Sequence, residues 1–146
     1  MSKNIKAYNS ILDLIGNTPL VKLNNITKDI PGDFYAKVEA FNPGHSNKDR
    51  IALHIIESAE KKGLLKPGST IIETTSGNTG FSLSMVSMIK GYNCILAVSS
   101  KSSSDKIDML KSMGACCGID TGRITTYRNH IHAIHEFSRI IDFFHR

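Results

Sequence analysis

The stretch of sequence that decides the fold is TIIETTSGNTGFSLSMVSMIKGYNCILAV, residues 70–98. It begins with a short run, residues 70–73, that predicts a strand. The apolar residues between positions 81 and 90 recur at helical spacing, and Gly91 follows as a helix stop. A second apolar run, residues 94–98, predicts a buried strand. Because strand, helix and strand alternate, the stretch predicts an α/β fold with a largely parallel sheet.

The sequence on either side of this unit continues the alternation of helices and strands. Helices are predicted over residues 47–62 and from Ser103 or Ser104 to Met113, and strands over residues 20–23, 34–38 and 116–119. Ser46 is a candidate N-cap for the first of these helices, and Gly63 is a candidate stop. The pattern shows no internal repeat and indicates an α/β arrangement along most of the chain.

Length and composition exclude several classes of protein. The chain has 146 residues, of which 21% are charged and 40% are hydrophobic, as in globular domains. No apolar run reaches the roughly 18 residues that a membrane span needs. The first ten residues, MSKNIKAYNS, lack the apolar core of a secretion signal. The three cysteines suggest neither a disulfide framework nor a metal site, so we expect a cytoplasmic protein. Because no apolar run is long enough to span a membrane, we also expect no membrane partner.

The charge of the chain is basic but evenly spread. The formal net charge is +5 and the isoelectric point is about 9.2. The longest basic run is Lys61–Lys62, and no basic stripe with interleaved aromatic residues is present. The sequence therefore predicts no nucleic-acid partner, and the charge favours attraction of small anionic molecules.

Residue usage changes abruptly near residue 115. Residues 1–115 contain 13 lysines and one arginine, whereas residues 116–146 contain no lysine and four arginines. We therefore expect a domain over residues 1–115 and a divergent tail over residues 116–146. The tail could be a separate terminal element, the product of a shifted reading frame, or a chance deviation in a short segment.

The tail itself contains one predicted helix. Residues 130–144 place apolar side chains at helical spacing and so predict an amphipathic helix. His132 and His135 lie three positions apart on this helix, but no third or fourth ligand is evident, so no metal site is predicted.

The first candidate site is the helix start PGHSNKDR, residues 43–50, with Lys48 in the first turn. A cation at the positive end of a helix dipole is poorly placed for stability. The same environment favours an uncharged, nucleophilic amine. The alternative is a solvated surface lysine whose charge Asp49 balances.

The second candidate site is the loop ETTSGNTG, residues 73–80, which leads from a strand into a helix. Small residues in such a loop direct backbone N–H groups and hydroxyls towards one point, where a phosphate or carboxylate can bind. No Gly-Lys-Ser/Thr triplet follows, so the loop is not a Walker loop. The alternative is a helix N-terminus with high glycine content.

Together, these segments resemble the cysteine synthase and cystathionine β-synthase family, which are fold type II enzymes that use pyridoxal 5′-phosphate (PLP). The resemblance is collinear from about residue 8 to residue 115. It rests on the motifs IGNTPLV at 15–21, KVE at 37–39, SNKDR at 46–50, TSGNTG at 75–80 and SDKIDML at 104–110. The fold that it implies is a three-layer α/β domain with a parallel sheet, like the N-terminal half of tryptophan synthase β-like enzymes, here truncated.

The resemblance also implies residue roles. Lys48 matches the lysine that binds PLP covalently and later moves protons at the substrate α-carbon. Asn78 matches the asparagine that hydrogen-bonds the PLP ring oxygen. The loop that closes on the substrate carboxylate is matched by Thr75, Ser76, Gly77, Asn78 and Thr79. The implied reaction is β-replacement on a small amino acid, serine or O-acetylserine, with sulfide or a thiol as nucleophile.

Family members are roughly twice as long as this chain and have two domains. Their later half contains the loop that binds the PLP phosphate, and no match to that loop is found here. The resemblance therefore implies a truncated chain with weak PLP affinity and little or no activity. The alternative is a non-catalytic fragment or interaction module that docks on a full-length relative or another partner. A homo-oligomer is also compatible with the sequence.

Overall fold

The computed structural model describes residues 7–75, 77–99 and 101–120. The elements, in chain order, are a 3₁₀ turn (Ile11–Leu14), β1 (Leu20–Lys22), β2 (Tyr35–Lys37), a second 3₁₀ turn (Glu39–Phe41), α1 (Lys48–Lys61), β3 (Thr70–Thr74), α2 (Asn78–Lys90), β4 (Asn93–Ser99), α3 (Ser104–Ser112) and β5 (Cys116–Asp120). Every helix and strand predicted between residues 20 and 120 is present, with ends displaced by at most three residues.

Strands β3, β4 and β5 form a parallel sheet in that order. The register pairs Thr70 with Asn93 at one end of β3, and Ile95 with Cys116 at the start of β5. The predicted α/β class with a parallel sheet is therefore confirmed. Strands β1 and β2 form a separate antiparallel pair, with Leu20 opposite Lys37. The prediction of a largely parallel sheet did not specify this hairpin.

Two groups of buried apolar side chains hold the described elements together. The first joins α1, β3 and α2, and its members include Ala52, Ile56, Ile71, Leu83 and Val86. The second joins β4 to α3, and its members include Leu96, Val98, Ile107 and Leu110. Burial of such side chains is worth about 1.5–3 kcal/mol each for the larger ones. The first group packs α1 along α2, so the relative position of these two helices is set by the core.

The ends of α1 follow the local signals in the sequence. The Ser46 hydroxyl accepts a hydrogen bond from the Lys48 backbone N–H at 3.2 Å, whereas Asn47, at the N-cap position, makes no capping bond with its side chain. The predicted capping hydroxyl therefore does bind the start of the helix, one position earlier than a standard N-cap. Gly63 adopts a φ of 70° just beyond the last turn, which confirms the predicted stop.

Several predictions fall on residues that the structure does not describe. Ser76 and residues 121–146 lie outside the described ranges, and with them the predicted helix over residues 130–144 and its histidines, His132 and His135. Strand β5 begins at Cys116, the first residue of the predicted tail, and pairs with β4. The domain boundary at residue 115 stays a prediction. Among the described helices, none has the length and apolarity that crossing a membrane requires.

Candidate active site

The N-terminal ends of α1 and α2 meet at one place. Lys48 is the first residue of α1 and Asn78 is the first residue of α2. Ser82 lies about one turn into α2 and Asp49 is the second residue of α1, and the Ser82 hydroxyl donates to Asp49 Oδ1 at 2.5 Å. The fold therefore brings together the two helix starts that the sequence singled out separately.

A cavity of about 210 Å³ lies beside this meeting point. Gly44 and His45 line it from the loop before α1, Gly77 and Asn78 line it from the start of α2, and α3 closes it with residues that include Lys106. Small-molecule sites usually occupy about 300–1,000 Å³, so this cavity accommodates part of a small ligand. Of the predicted substrate loop, Gly77 and Asn78 contribute to its wall.

The Lys48 side chain is half-buried. Within the described ranges, its ammonium group has no hydrogen-bond or ion-pair partner. Asp49, the next residue, is fully buried and uses its carboxylate on other groups, the Gly44 N–H at 2.5 Å and the Ser82 hydroxyl. The pairing of Asp49 with Lys48 in that alternative is therefore wrong, because the Asp49 side chain points into the interior.

The close approach of Gly44 to Asp49 requires a residue without a side chain. A Cβ atom built on Gly44 would overlap the carboxylate of Asp49. Gly77, at the other wall of the cavity, has open space where its Cβ would lie. A side chain at position 44 would therefore clash with Asp49, whereas a side chain at position 77 would fit in open space at the cavity wall.

The loop before α2 is tied to the sheet. The Thr75 N–H donates to the Ala97 carbonyl at 3.0 Å, and the Thr75 hydroxyl accepts from the Gly77 N–H at 3.3 Å. A Cβ on Gly80 would lie 2.6 Å from Thr75 Cγ2, so the helix start sits tightly against the loop. Asn78 is exposed, and Thr79 is half-buried but does not line the cavity. The ligand-binding roles of these residues stay predictions.

A second polar cluster, which the sequence analysis missed, supports the start of α1. Arg50 Nε donates to Glu39 Oε2 at 2.8 Å and an Arg50 terminal nitrogen donates to Glu39 Oε1 at 2.9 Å, a bidentate pair. The same guanidinium donates to the Gly16 carbonyl at 2.9 Å. Asn42 joins the cluster by donating to Glu39 Oε2 at 2.8 Å and accepting from the Gly16 N–H. Through Arg50, which is two residues after Lys48, the cluster links α1 to the loop at Gly16 and to the segment from Glu39 to Asn42.

The electrostatics of this cluster keep Glu39 ionised. The hydrogen bonds from Arg50 are the largest cause that lowers the pKa of Glu39 to about 2, and bonds from Asn42 and Thr18 lower it further against the opposing effect of desolvation. The same pairing raises the pKa of Arg50. Both residues lie inside motifs that carry the family resemblance, but opposite charges eleven positions apart give no signal of contact in a single sequence.

We expect Glu39→Gln to lower the midpoint of thermal unfolding at neutral pH and to have little effect near pH 2. The pKa of Glu39 is about 2 in the folded chain, against an ordinary value of 4.5. Its stabilising contribution is therefore complete above pH 4.5 and is lost as the pH falls towards 2. Circular-dichroism melts across this range measure the difference. Glu57→Gln, which removes a longer 3.8 Å ion pair, is the control. A Glu39→Gln effect that is the same at every pH would contradict the expectation.

Neither Cys94 nor Cys117 offers a competing activated nucleophile. Burial raises the pKa of the Cys94 thiol and is also the main cause that raises the pKa of Cys117. A raised pKa keeps a thiol protonated, whereas thiolates are the reactive form. Among the residues that the structure describes, no group of three or more His, Cys, Asp or Glu side chains could hold a metal ion.

Comparison with protein families gives a match over most of the chain. The family model described as "Pyridoxal-phosphate dependent enzyme" matches residues 11–137. Cystathionine β-synthase from Apis mellifera is 54% identical over 112 residues, which are 75% of this chain and 22% of that relative. Cysteine synthase from Staphylococcus aureus is 47% identical over 110 residues, which are 75% of this chain and 36% of that relative. The chain thus spans about a fifth to a third of the curated relatives that it matches.

Solved structures give the same relationship. The crystal structure of an O-ureido-L-serine synthase superimposes with a TM-score of 0.73 at 37% identity and covers 92% of this chain and 42% of that chain. A hydrogen sulfide-producing enzyme from Fusobacterium nucleatum superimposes with a TM-score of 0.74 at 38% identity, over 93% of this chain and 44% of that chain.

Proposed function

Because the chain belongs to the family of pyridoxal-phosphate dependent enzymes, we propose that Lys48 is its PLP-binding lysine and that its residues serve a β-replacement reaction on a serine derivative. The chain spans only 22% of the honeybee cystathionine β-synthase and 36% of the bacterial cysteine synthase. What this chain does by itself is therefore part of the proposal: we expect PLP to bind weakly and turnover to be low or absent.

One observation carries this proposal: the starts of α1 and α2 are joined beside a cavity. Lys48 begins the helix on one side of the junction and is not among the residues that line the cavity, whereas Asn78 begins the helix on the other side and does line it. The Lys48 amine has no partner in the described ranges. An amine without a counter-charge suits the aldehyde of PLP, and an exposed amide suits the ring oxygen. The open space at Gly77 leaves room for a group at this wall. The residues present therefore fit the lysine and ring-oxygen end of PLP.

The chemistry divides between the cofactor and the chain. When bound, PLP supplies an electron sink for the reacting amino acid. In our proposal Lys48 Nζ removes and returns the proton at the substrate α-carbon, and the Asn78 amide donates to the ring oxygen. Backbone N–H groups and hydroxyls of residues 75–79 hold the substrate carboxylate. On the resemblance to cysteine synthase and cystathionine β-synthase, we propose serine or O-acetylserine as the amino acid, with sulfide or a thiol as the incoming group.

Titration of the purified chain with PLP tests the proposal. The chain has 13 lysines, so covalent trapping of bound PLP with borohydride, followed by peptide mapping, identifies which of them reacts. We expect a saturable absorbance change with the label on Lys48 at sub-stoichiometric PLP. Labels spread evenly over surface lysines, without saturation, would overturn the proposal.

The Asn78 side chain is expected to contribute to PLP affinity. We expect Asn78→Ala to weaken PLP binding about tenfold, because a hydrogen bond to the bound ring is lost. Asn47→Ala is a matched control, since Asn47 is an exposed asparagine at the other helix start and makes no capping bond. Dissociation constants from absorbance titrations compare the two variants. Equal constants in both variants would remove Asn78 from the site.

The hairpin favours a second candidate function, an interaction module that docks on a full-length relative. Leu20 is 62% exposed and Tyr35 is 52% exposed, on the two paired strands β1 and β2. Apolar surface of this kind commonly marks an interaction site. We expect sedimentation velocity to show association that rises with concentration, and Leu20→Lys to weaken it. A monomer at all concentrations would argue against this second candidate.

A further inference from the structure

We propose that Asp49 and Ser82 form a clasp that fixes the start of α1 against the start of α2, and thereby positions Lys48 relative to Asn78. Both are positioning residues in this proposal, since they act through the two residues that we assign to the cofactor. The functional consequence rests on the proposed PLP site, whereas the clasp itself is a property of the folded chain.

Burial is the first reason to assign the clasp to Asp49. Its side chain has 0% exposure, and each carboxylate oxygen has a donor: the Gly44 N–H on Oδ2 and the Ser82 hydroxyl on Oδ1, both at 2.5 Å. A buried carboxylate is tolerated only when its oxygens are hydrogen-bonded, and such charge-assisted bonds are short and strong. The Ser82 hydroxyl therefore satisfies a group that water does not reach.

The position of Ser82 is the second reason. Its oxygen also lies 2.9 Å from the Asn78 carbonyl, one turn earlier in α2. A hydroxyl has one proton to donate, so it serves either the Asp49 carboxylate or the Asn78 carbonyl at any moment. The Ser82 oxygen thus lies within hydrogen-bond distance of both the residue after Lys48 and the backbone of Asn78, and donation to Asp49 competes with donation to Asn78. Loss of this hydroxyl removes the side-chain hydrogen bond between the start of α1 and α2, while the apolar core still packs the two helices together.

A neighbouring serine provides a matched control for this geometry. Ser84 is equally buried on α2 and donates to the Gly80 carbonyl at 2.8 Å, the same four-residue spacing as Ser82 to Asn78. Its other neighbour is the Cys94 sulfur on β4, at 3.8 Å. Ser84→Ala therefore removes a buried hydroxyl and an intrahelical bond but leaves the link between α1 and α2 intact.

The first test needs no cofactor. Hydrogen exchange of the Gly44 backbone amide, measured by NMR, reports on the carboxylate to which that amide donates. We expect Ser82→Ala to speed this exchange about tenfold, because Asp49 loses one of its two partners. Ser84→Ala should change it less than about twofold. Equal exchange of Gly44 in the two variants would overturn the clasp.

The second test asks whether the clasp acts through Asn78. In a double-mutant cycle on PLP affinity, Ser82→Ala should weaken binding about tenfold in the natural chain and much less in the Asn78→Ala background. The wavelength of the Lys48-dependent absorbance maximum should also shift in Ser82→Ala and not in Ser84→Ala. Additive losses with an unshifted maximum would contradict positioning. A natural chain that binds no PLP would contradict the proposed function, while the Gly44 exchange rates would still decide the clasp.

Discussion

Replacing Lys48 with alanine is expected to abolish the saturable absorbance change that PLP produces with this chain. The amine of Lys48 is the group that we assign to covalent capture of PLP, and no other amine can replace it at the first residue of α1. We expect the remaining lysines to react with PLP without saturation. The expected result is a full loss of signal rather than a shift of affinity, and absorbance titration with borohydride trapping measures it.

Lys106→Ala is the control for this experiment. Lys106 lines the same cavity from α3, so its removal changes the charge of the cavity wall without removing the amine at the start of α1. We expect Lys106→Ala to keep saturable labelling of Lys48. If Lys48→Ala kept the signal and Lys106→Ala lost it, the reactive amine would be on α3 and our assignment would be incorrect.

Gly44→Ala is expected to destabilise the fold by about 2–4 kcal/mol. The added Cβ would overlap the buried Asp49 carboxylate, so the loop or α1 must move. Overpacking of this kind costs about 1–3 kcal/mol. Movement also loses part of the bond from the Gly44 N–H to a charged group, a bond that is worth about 1.5–3 kcal/mol in full. A loss of this size is a large fraction of the stability of a small domain, and urea unfolding followed by circular dichroism measures it.

Gly77→Ala provides the comparison, because Gly77 has a negative φ of −133° and open space at its Cβ position. We expect its effect on the free energy of unfolding to stay within about 0.5 kcal/mol. Both glycines line the same cavity, so a difference between them isolates the packing against Asp49. Equal losses in the two variants would mean that Gly44 does not approach Asp49 as closely as the structure shows.

Local signals determined where most elements begin and end. Apolar spacing and glycine stops predicted α1 and α2 to within three residues, and the alternation of elements predicted the parallel sheet. The predicted helix over residues 47–62 also placed Lys48 in its first turn, whereas Asn78 was predicted in the loop and is instead the first residue of α2. These features depend on residues a few positions apart, because helical turns, caps and stops are formed by neighbours in the chain.

Only the tertiary structure decided how the polar groups are paired. Asp49 looked like a surface counter-charge for its neighbour Lys48, but it is buried against Ser82, 33 positions away. Arg50 reaches the Gly16 carbonyl across 34 positions. Such pairs form when the core packs α1 against α2 and brings distant segments together, and a single sequence contains no periodic signal for them. The sequence by itself therefore determined the order of the elements and their ends to within three residues, and the packing of the helices decided which distant polar groups hold the helix starts in place.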